Sequence, residues 1–344
     1  MKKRIEWIDV AKCFGIFAIY LGHFGESAGK GYFFVFQYHV ALFFFLSGCM
    51  STYDKETNVG RYFIKKVKHI MVPFWVFAAL SIVLRVIASR PHWTEVKELL
   101  MIVLKGCVRN TFFASSLWFL TCLFVMEIVF KFIRYIKNKW LILGICVGLF
   151  LVAECIMDPS PIKSPSWVYN LDSMCYYMIF YGAGYLSYAW IRDVFEKDKP
   201  WKKVVFWTTG VFALVYAVSL FVEKDYLILG VCKVPGLSVF AAVIRAFLLI
   251  WANLVVAKLV ERVRIFAMIG KNTLYLCGNE YMIKAIVPRV LGIVGISCMF
   301  YSPWIVCVYT AVLLVLGIVI VVPIEKKILE GVQFLIKKQK EKQS

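Results

Sequence analysis

The sequence predicts an all-α, polytopic integral membrane bundle of about ten transmembrane helices with both termini cytoplasmic. Two observations carry that expectation. Apolar runs of bilayer-spanning length recur along the chain, and Lys and Arg alternate between successive connections. With 61% hydrophobic residues, only 18% charged residues and a mean hydropathy of +0.76, the chain is too apolar for an ordinary soluble domain. A helix crossing the hydrocarbon core needs about 20 apolar residues, because each backbone polar group there must be satisfied within the segment.

Runs of that kind lie approximately at 6–24, 33–52, 69–88, 116–135, 140–157, 171–190, 204–222, 237–257, 273–290 and 303–322. Orientation follows from the retention of basic residues in cytoplasmic loops. With the amino terminus inside, the inner segments hold Lys2, Lys3 and Arg4; Lys55, Arg61, Lys65, Lys66 and Lys68; and Lys131, Arg134, Lys137 and Lys139. The bias continues with Arg192, Lys197, Lys199, Lys202 and Lys203, then Lys258, Arg262, Arg264 and Lys271, then the lysines after residue 325. Outer connections hold only Lys30, Arg90, Lys97, Lys105, Arg109, Lys163, Lys224 and Lys233. Leaving out any one span would break this alternation. Topology and anionic lipid therefore explain the net charge of +19, and nucleic acid is not an expected partner.

No long soluble segment or internal repeat interrupts the chain, so residues 1–323 are expected to form one membrane domain, followed by a basic amphipathic tail at 324–344 on the inner leaflet. In the outer connection 89–115, "HWTEVKELLMIVLKGC" has helical apolar spacing and should lie along the interface. The Pro- and Ser-rich connection 158–170 should be irregular. None of the 11 cysteines forms a C-x-x-C pair, and neither a metal site nor a disulfide framework is expected.

Ionisable side chains within spans are costly and mark a pathway, a site or a partner. Asp9 and Lys12 share a face at the inner edge of the first span and are spaced to pair. His23 lies roughly 21 Å beyond Asp9 at about 1.5 Å rise per residue, in the outer half. His39, on the returning second span, sits about 9 Å inside its outer end and so reaches a similar depth. Imidazole suits a general base at neutral pH, although membrane histidines also serve as interhelical hydrogen-bond partners. Glu280 and Lys284 are spaced to pair within the ninth span. Arg85 and Arg289 are placed to snorkel, while the deeper Arg245 would look to Glu154 or Glu280.

The stretches "RIEWIDVAKCFGIFAIYLGH", "FQYHVALFFFLSG" and "RYFIKKVKHIMVPFW" add a more specific signal. Together they resemble the membrane acyltransferase family often called acyltransferase type three, which includes sugar and polysaccharide O-acetylases. Lys12 and His23 match its basic residue, ten intervening residues and histidine, and His39 stands in its second-span "FHxPLFFFLSG" signature. "SLWFLTCLF", with Trp118, resembles its "LWFL" span, and "IGKNTLYL" its "GKNSLxIYLLH" region. The family's R-x-x-R before the third span is met by Lys65 and Lys68, which keep the charge but lose the bidentate fork. Two departures stand out. "LCGNE" puts Asn279 and Glu280 where many members carry a histidine, and Glu127 lies too far from Trp118 to be the glutamate of the "WSLxxEE" signature.

The resemblance implies transfer of an acyl group, usually acetyl, from cytoplasmic acetyl-CoA to a carbohydrate hydroxyl of a glycan or lipid-linked sugar, in a multi-pass protein of the cell membrane. His23 would be the catalytic base, with His39 beside it. Arg4, Asp9, Lys12, Arg61, Lys65 and Lys68 would form the donor end, where cations meet the phosphates of coenzyme A. Trp118, Asn279 and Glu280 would face the acceptor, and no metal is implied. A transporter or flippase is the competing class, since buried charge also marks substrate pathways. The lack of a repeat speaks against it, and self-association is left open.

Overall fold

The computed structural model describes residues 5–109, 116–157, 167–197, 199–222, 234, 236–293, 295 and 302–341, and every regular element among them is helical. In order these are α1 (Glu6–Gly22), α2 (Lys30–Phe36), α3 (His39–Ser51), α4 (Val59–Lys66), α5 (Val72–Ser89), α6 (Trp93–Leu104), α7 (Trp118–Ile133) and α8 (Lys139–Cys155). Next come α9 (Leu171–Glu196), α10 (Pro200–Phe221), α11 (Ala241–Leu259), α12 (Arg264–Lys271), α13 (Thr273–Gly278), α14 (Glu280–Ile293), α15 (Pro303–Leu316) and α16 (Val322–Glu341). Among the described residues, five stretches are long and apolar enough to cross a membrane: Lys30–Ser51, Val59–Ser89, Pro200–Phe221, Ser238–Leu259 and Pro303–Val332. The molecule is an all-α membrane bundle.

Local signals set the helix ends. Asn58 caps α4 by accepting the Arg61 amide at 2.9 Å, and Asn138 caps α8 through the Trp140 amide at 2.9 Å. Pro200 and Pro303 open α10 and α15, where a missing N–H is harmless. Helix α6 falls where the interfacial helix was expected and turns Val96 and Val103 inward. Of the connection expected to be irregular, residues 158–166 lie outside the described residues, and a single 3-10 turn at Val168–Asn170 leads into α9.

Two expected spans are not single straight helices. The run 33–52 is divided at Gln37–Tyr38, where Tyr38 leaves the helical region (φ −149°, ψ −19°). The Val35 carbonyl, which a continuous helix would offer to the His39 amide, takes the Tyr38 amide at 3.2 Å and His39 Nδ1 at 2.7 Å. The run 273–290 bends at Asn279 (φ −110°, ψ 11°), where the Tyr275 carbonyl takes both the Asn279 amide at 3.0 Å and its Nδ2 at 2.7 Å. At the carboxy-terminal end, α15 passes through a π segment (Gly317–Val321) directly into α16, so the helix continues across residue 323.

Helix α1 runs through the middle of the bundle, packed against α2, α3, α11, α12, α13 and α15 and buried along most of its length. Where lipid supplies no hydrophobic drive between helices, close approach by small residues does the work. At the crossing of α3 and α9, a Cβ on Gly48 would stand 2.0 Å from the Tyr181 carbonyl oxygen, and one on Gly184 2.0 Å from that of Phe45. Both positions are closed to any larger residue without separating the helices.

Candidate active site

His23 caps the C-terminus of α1, its amide bonded to the Ile19 carbonyl at 3.1 Å. The chain turns away immediately afterwards through Gly25 (φ +59°) and Gly29 (φ +54°), conformations that favour glycine. Because successive helical residues rotate by about 100°, Lys12, Ile16, Ile19 and His23 fall on one face of α1. Ile16 and Ile19 are buried in the cluster that contains Phe43, Ile269, Leu276 and Cys277, so that face looks into the bundle. Lys12 and His23 are separated by roughly 16 Å along the axis.

The bend at Asn279 delivers Glu280 to this face. Its Oε1 accepts from His23 Nδ1 at 2.7 Å and from Lys284 Nζ at 2.8 Å. Lys284 also donates to the Tyr20 carbonyl at 3.0 Å, and its ammonium lies 4.3 Å from the Phe24 ring centroid. An ionised carboxylate can only accept, so Nδ1 of a neutral His23 carries the proton and Nε2 presents its lone pair. The His23 side chain is 22% exposed and that of Glu280 0%, so the ring is reachable from outside while the carboxylate behind it is not. This is the arrangement of a base with its orienting acid: the carboxylate fixes the tautomer and stabilises the imidazolium formed when Nε2 takes a proton.

The other acceptor-side and catalytic residues are distributed differently. His39 is buried with Nδ1 on Val35, and Phe36 stands between the two histidines, its ring centroid 6.4 Å from that of His23 and 5.0 Å from that of His39. Asn279 is buried as well, but its amide turns toward α16 and donates to Glu325. Trp118 lies near the start of α7 in the main core, its ring 6.2 Å from that of Tyr177. Close by, Ser116 Oγ donates to the Cys277 carbonyl and ties α7 to the end of α13.

At the opposite end of α1, Asp9 is buried in the first turn. Arg4 lies outside the described residues. Arg61, Lys65 and Lys68 are exposed on or just beyond α4. Lys65 bonds Asp54 at 2.9 Å. Partial burial pushes the Asp54 carboxyl up, but the Lys65 hydrogen bond, the Glu56 amide and the Lys66 charge outweigh it and leave it below the ordinary carboxylate value. Glu127, which the motif left without a role, is buried between Tyr62, whose hydroxyl donates at 2.7 Å, and Lys66 at 2.8 Å. Lys131 and Arg134 clamp the loop before α4 through backbone carbonyls of Glu56 and Asp54. Arg245 finds neither Glu154 nor Glu280. It donates to Gln37 Oε1 at 2.8 Å, a half-buried side chain at the end of α2.

The pairing of His23 with Glu280 is not visible in the sequence. The two residues are far apart in the chain, and Glu280 has a sufficient local explanation in Lys284. The one available signal is the position of Glu280 where a histidine is expected.

The fold and the site define a class: a helical integral membrane bundle in which a histidine at the end of the central helix is held by a buried carboxylate. A family model described as an acyltransferase domain matches residues 5–322, nearly the whole chain, and the protein belongs to this acyltransferase type 3 family. Comparison with curated proteins and with solved structures returns no match. Membership makes acyl transfer the activity and leaves the transporter alternative without support.

Proposed function

We propose that this protein is an O-acetyltransferase of the cell membrane, moving an acetyl group from acetyl-CoA to a carbohydrate hydroxyl of a glycan or lipid-linked sugar, with His23 as the general base. The observation that carries this reading is the 2.7 Å contact between His23 Nδ1 and Glu280, which leaves Nε2 free to accept a proton. A sugar hydroxyl is a weak nucleophile until its proton is removed during attack. Its oxygen adds to the thioester carbonyl as Nε2 takes the proton. Collapse of the tetrahedral intermediate breaks the carbon–sulfur bond, and the imidazolium returns the proton to the departing coenzyme A thiolate.

In the accompanying topology the chain crosses the membrane about ten times with both termini inside. The donor enters at the end of α1 that carries Asp9 and Lys12, where Arg61 and Lys68 add positive charge. The extended pantetheine arm has to span the roughly 16 Å between Lys12 and His23 to bring the thioester to the acceptor. The test is release of free thiol from acetyl-CoA by the purified protein in lipid nanodiscs, with mass spectrometry of surface glycans from cells with and without it. His23→Gln should slow transfer by about 10²–10⁴-fold while the protein still inserts and folds. Full activity in that variant would remove His23 from the chemistry.

A further inference from the structure

Glu325 takes no part in the proposed chemistry, yet it is one of the most enclosed charged residues in the chain, at 2% exposure. It lies in the last helix, within the stretch Pro303–Val332 that is long and apolar enough to cross a membrane. A buried carboxylate in such a helix is costly and marks a role. Its Oε2 accepts from Asn279 Nδ2, and among the described residues its Oε1 has no hydrogen-bond partner.

Two features of the last helix bring Glu325 to that point. Gly317 lets it approach the bend from behind: a Cβ there would stand 2.8 Å from Leu276 and 2.9 Å from Ile283, residues of α13 and α14 on either side of Asn279. The π segment at Gly317–Val321 then shifts the helix register just ahead of Glu325. On the opposite side, the Tyr20 hydroxyl of α1 donates to the Leu276 carbonyl at 2.7 Å. The bend is thus held from α1 on one side and from α16 on the other. Asn279 is the single non-helical residue between α13 and α14, and its neighbour Glu280 carries the hydrogen bond to His23.

We infer that Glu325 is a positioning residue for the His23–Glu280 pair, acting through Asn279. Its carboxylate fixes the Asn279 side chain, the Asn279 backbone sets where α14 begins, and that start point aims the Glu280 carboxylate at His23 Nδ1. The inference rests on His23 serving as the base, and its test keeps the two apart.

The experiment measures kcat and KM for acetyl-CoA in the full-length protein in nanodiscs, for His23→Gln, Glu325→Ala, Glu325→Gln, Asn279→Ala and the double variant Glu325→Ala with Asn279→Ala. Glu325→Ala and Asn279→Ala should each lower kcat on the order of 10²-fold, as expected when a catalytic pair is misplaced by about an ångström, with KM for acetyl-CoA unchanged. Glu325→Gln keeps an acceptor for the Asn279 amide and should retain most of the activity. The double variant should be no slower than Asn279→Ala alone, since that substitution already removes the contact with Glu325. If His23→Gln is inactive while Glu325→Ala and Asn279→Ala turn over at the parental rate, the inference fails and the assignment of the base stands. If His23→Gln is fully active, the assignment of the base fails first. Should Glu325→Ala not fold, Asn279→Ala and Glu325→Gln decide: a fully active Asn279→Ala, or a Glu325→Gln as slow as Asn279→Ala, overturns it.

Discussion

Glu280 is fully enclosed, yet it touches both a histidine and a lysine. A carboxylate in that position is tolerable only while its partners stay in place, because a buried charge without compensation costs several kcal/mol. Two substitutions separate its roles. Glu280→Gln keeps the size of the side chain but removes the charge that stabilises an imidazolium, so transfer should fall on the order of 10²-fold with little loss of folded protein. Lys284→Met leaves the carboxylate with His23 alone and should destabilise the fold by about 3 kcal/mol, read as a lower melting temperature in detergent. Equal effects of both variants on rate and on melting would contradict this division. In the sequence, Glu280 and Lys284 were legible as a pair from their spacing, whereas His23 and Glu280 were not, since helical periodicity is silent about contacts between distant helices.

Helices acquire their functional geometry here from where they are interrupted. Had 33–52 and 273–290 been continuous, His39 would have kept a helical amide at Val35 and Glu280 would have sat within a span rather than at the start of one. At both interruptions a side chain joins backbone amides on a carbonyl of the preceding turn: an imidazole on Val35 and an asparagine amide on Tyr275. The first carries neither Gly nor Pro at the break, whereas the second follows Gly278, the usual punctuation of a broken helix. Helix spacing is as sensitive as helix shape. Gly270 of α12 lies so close to α1 that a Cβ would come within 1.6 Å of the Asp9 carbonyl oxygen. Gly270→Ala should therefore push α12 from the inner end of α1, cost about 1–3 kcal/mol and weaken activity together with thermal stability. The same substitution at Gly144, where nothing lies within 4 Å, should leave both unchanged.

At the scale of the whole molecule, the proposed arrangement places the donor and acceptor at opposite ends of α1. Charge supports that polarity, since Lys and Arg concentrate in alternate connections throughout the chain. Reporter fusions should put the amino terminus, the loop before α4 and the carboxy terminus on the cytoplasmic side, and the connection that contains α6 on the other. A carboxy terminus found outside would make the number of spans odd, and an amino terminus found outside would detach the donor end from the cytoplasm.

The sequence by itself determined the helical membrane class and the face of α1 that His23 shares with Lys12. Those properties depend on composition and on spacing within one helix, which local physics fixes. Only the tertiary structure decided that Glu280 meets His23, that Gln37 meets Arg245, and that Glu127 belongs to Tyr62 and Lys66. Each of these joins separate helices, and which helices touch depends on where small residues allow close approach and where a side chain bends a helix. A sequence pattern read one helix at a time carries neither.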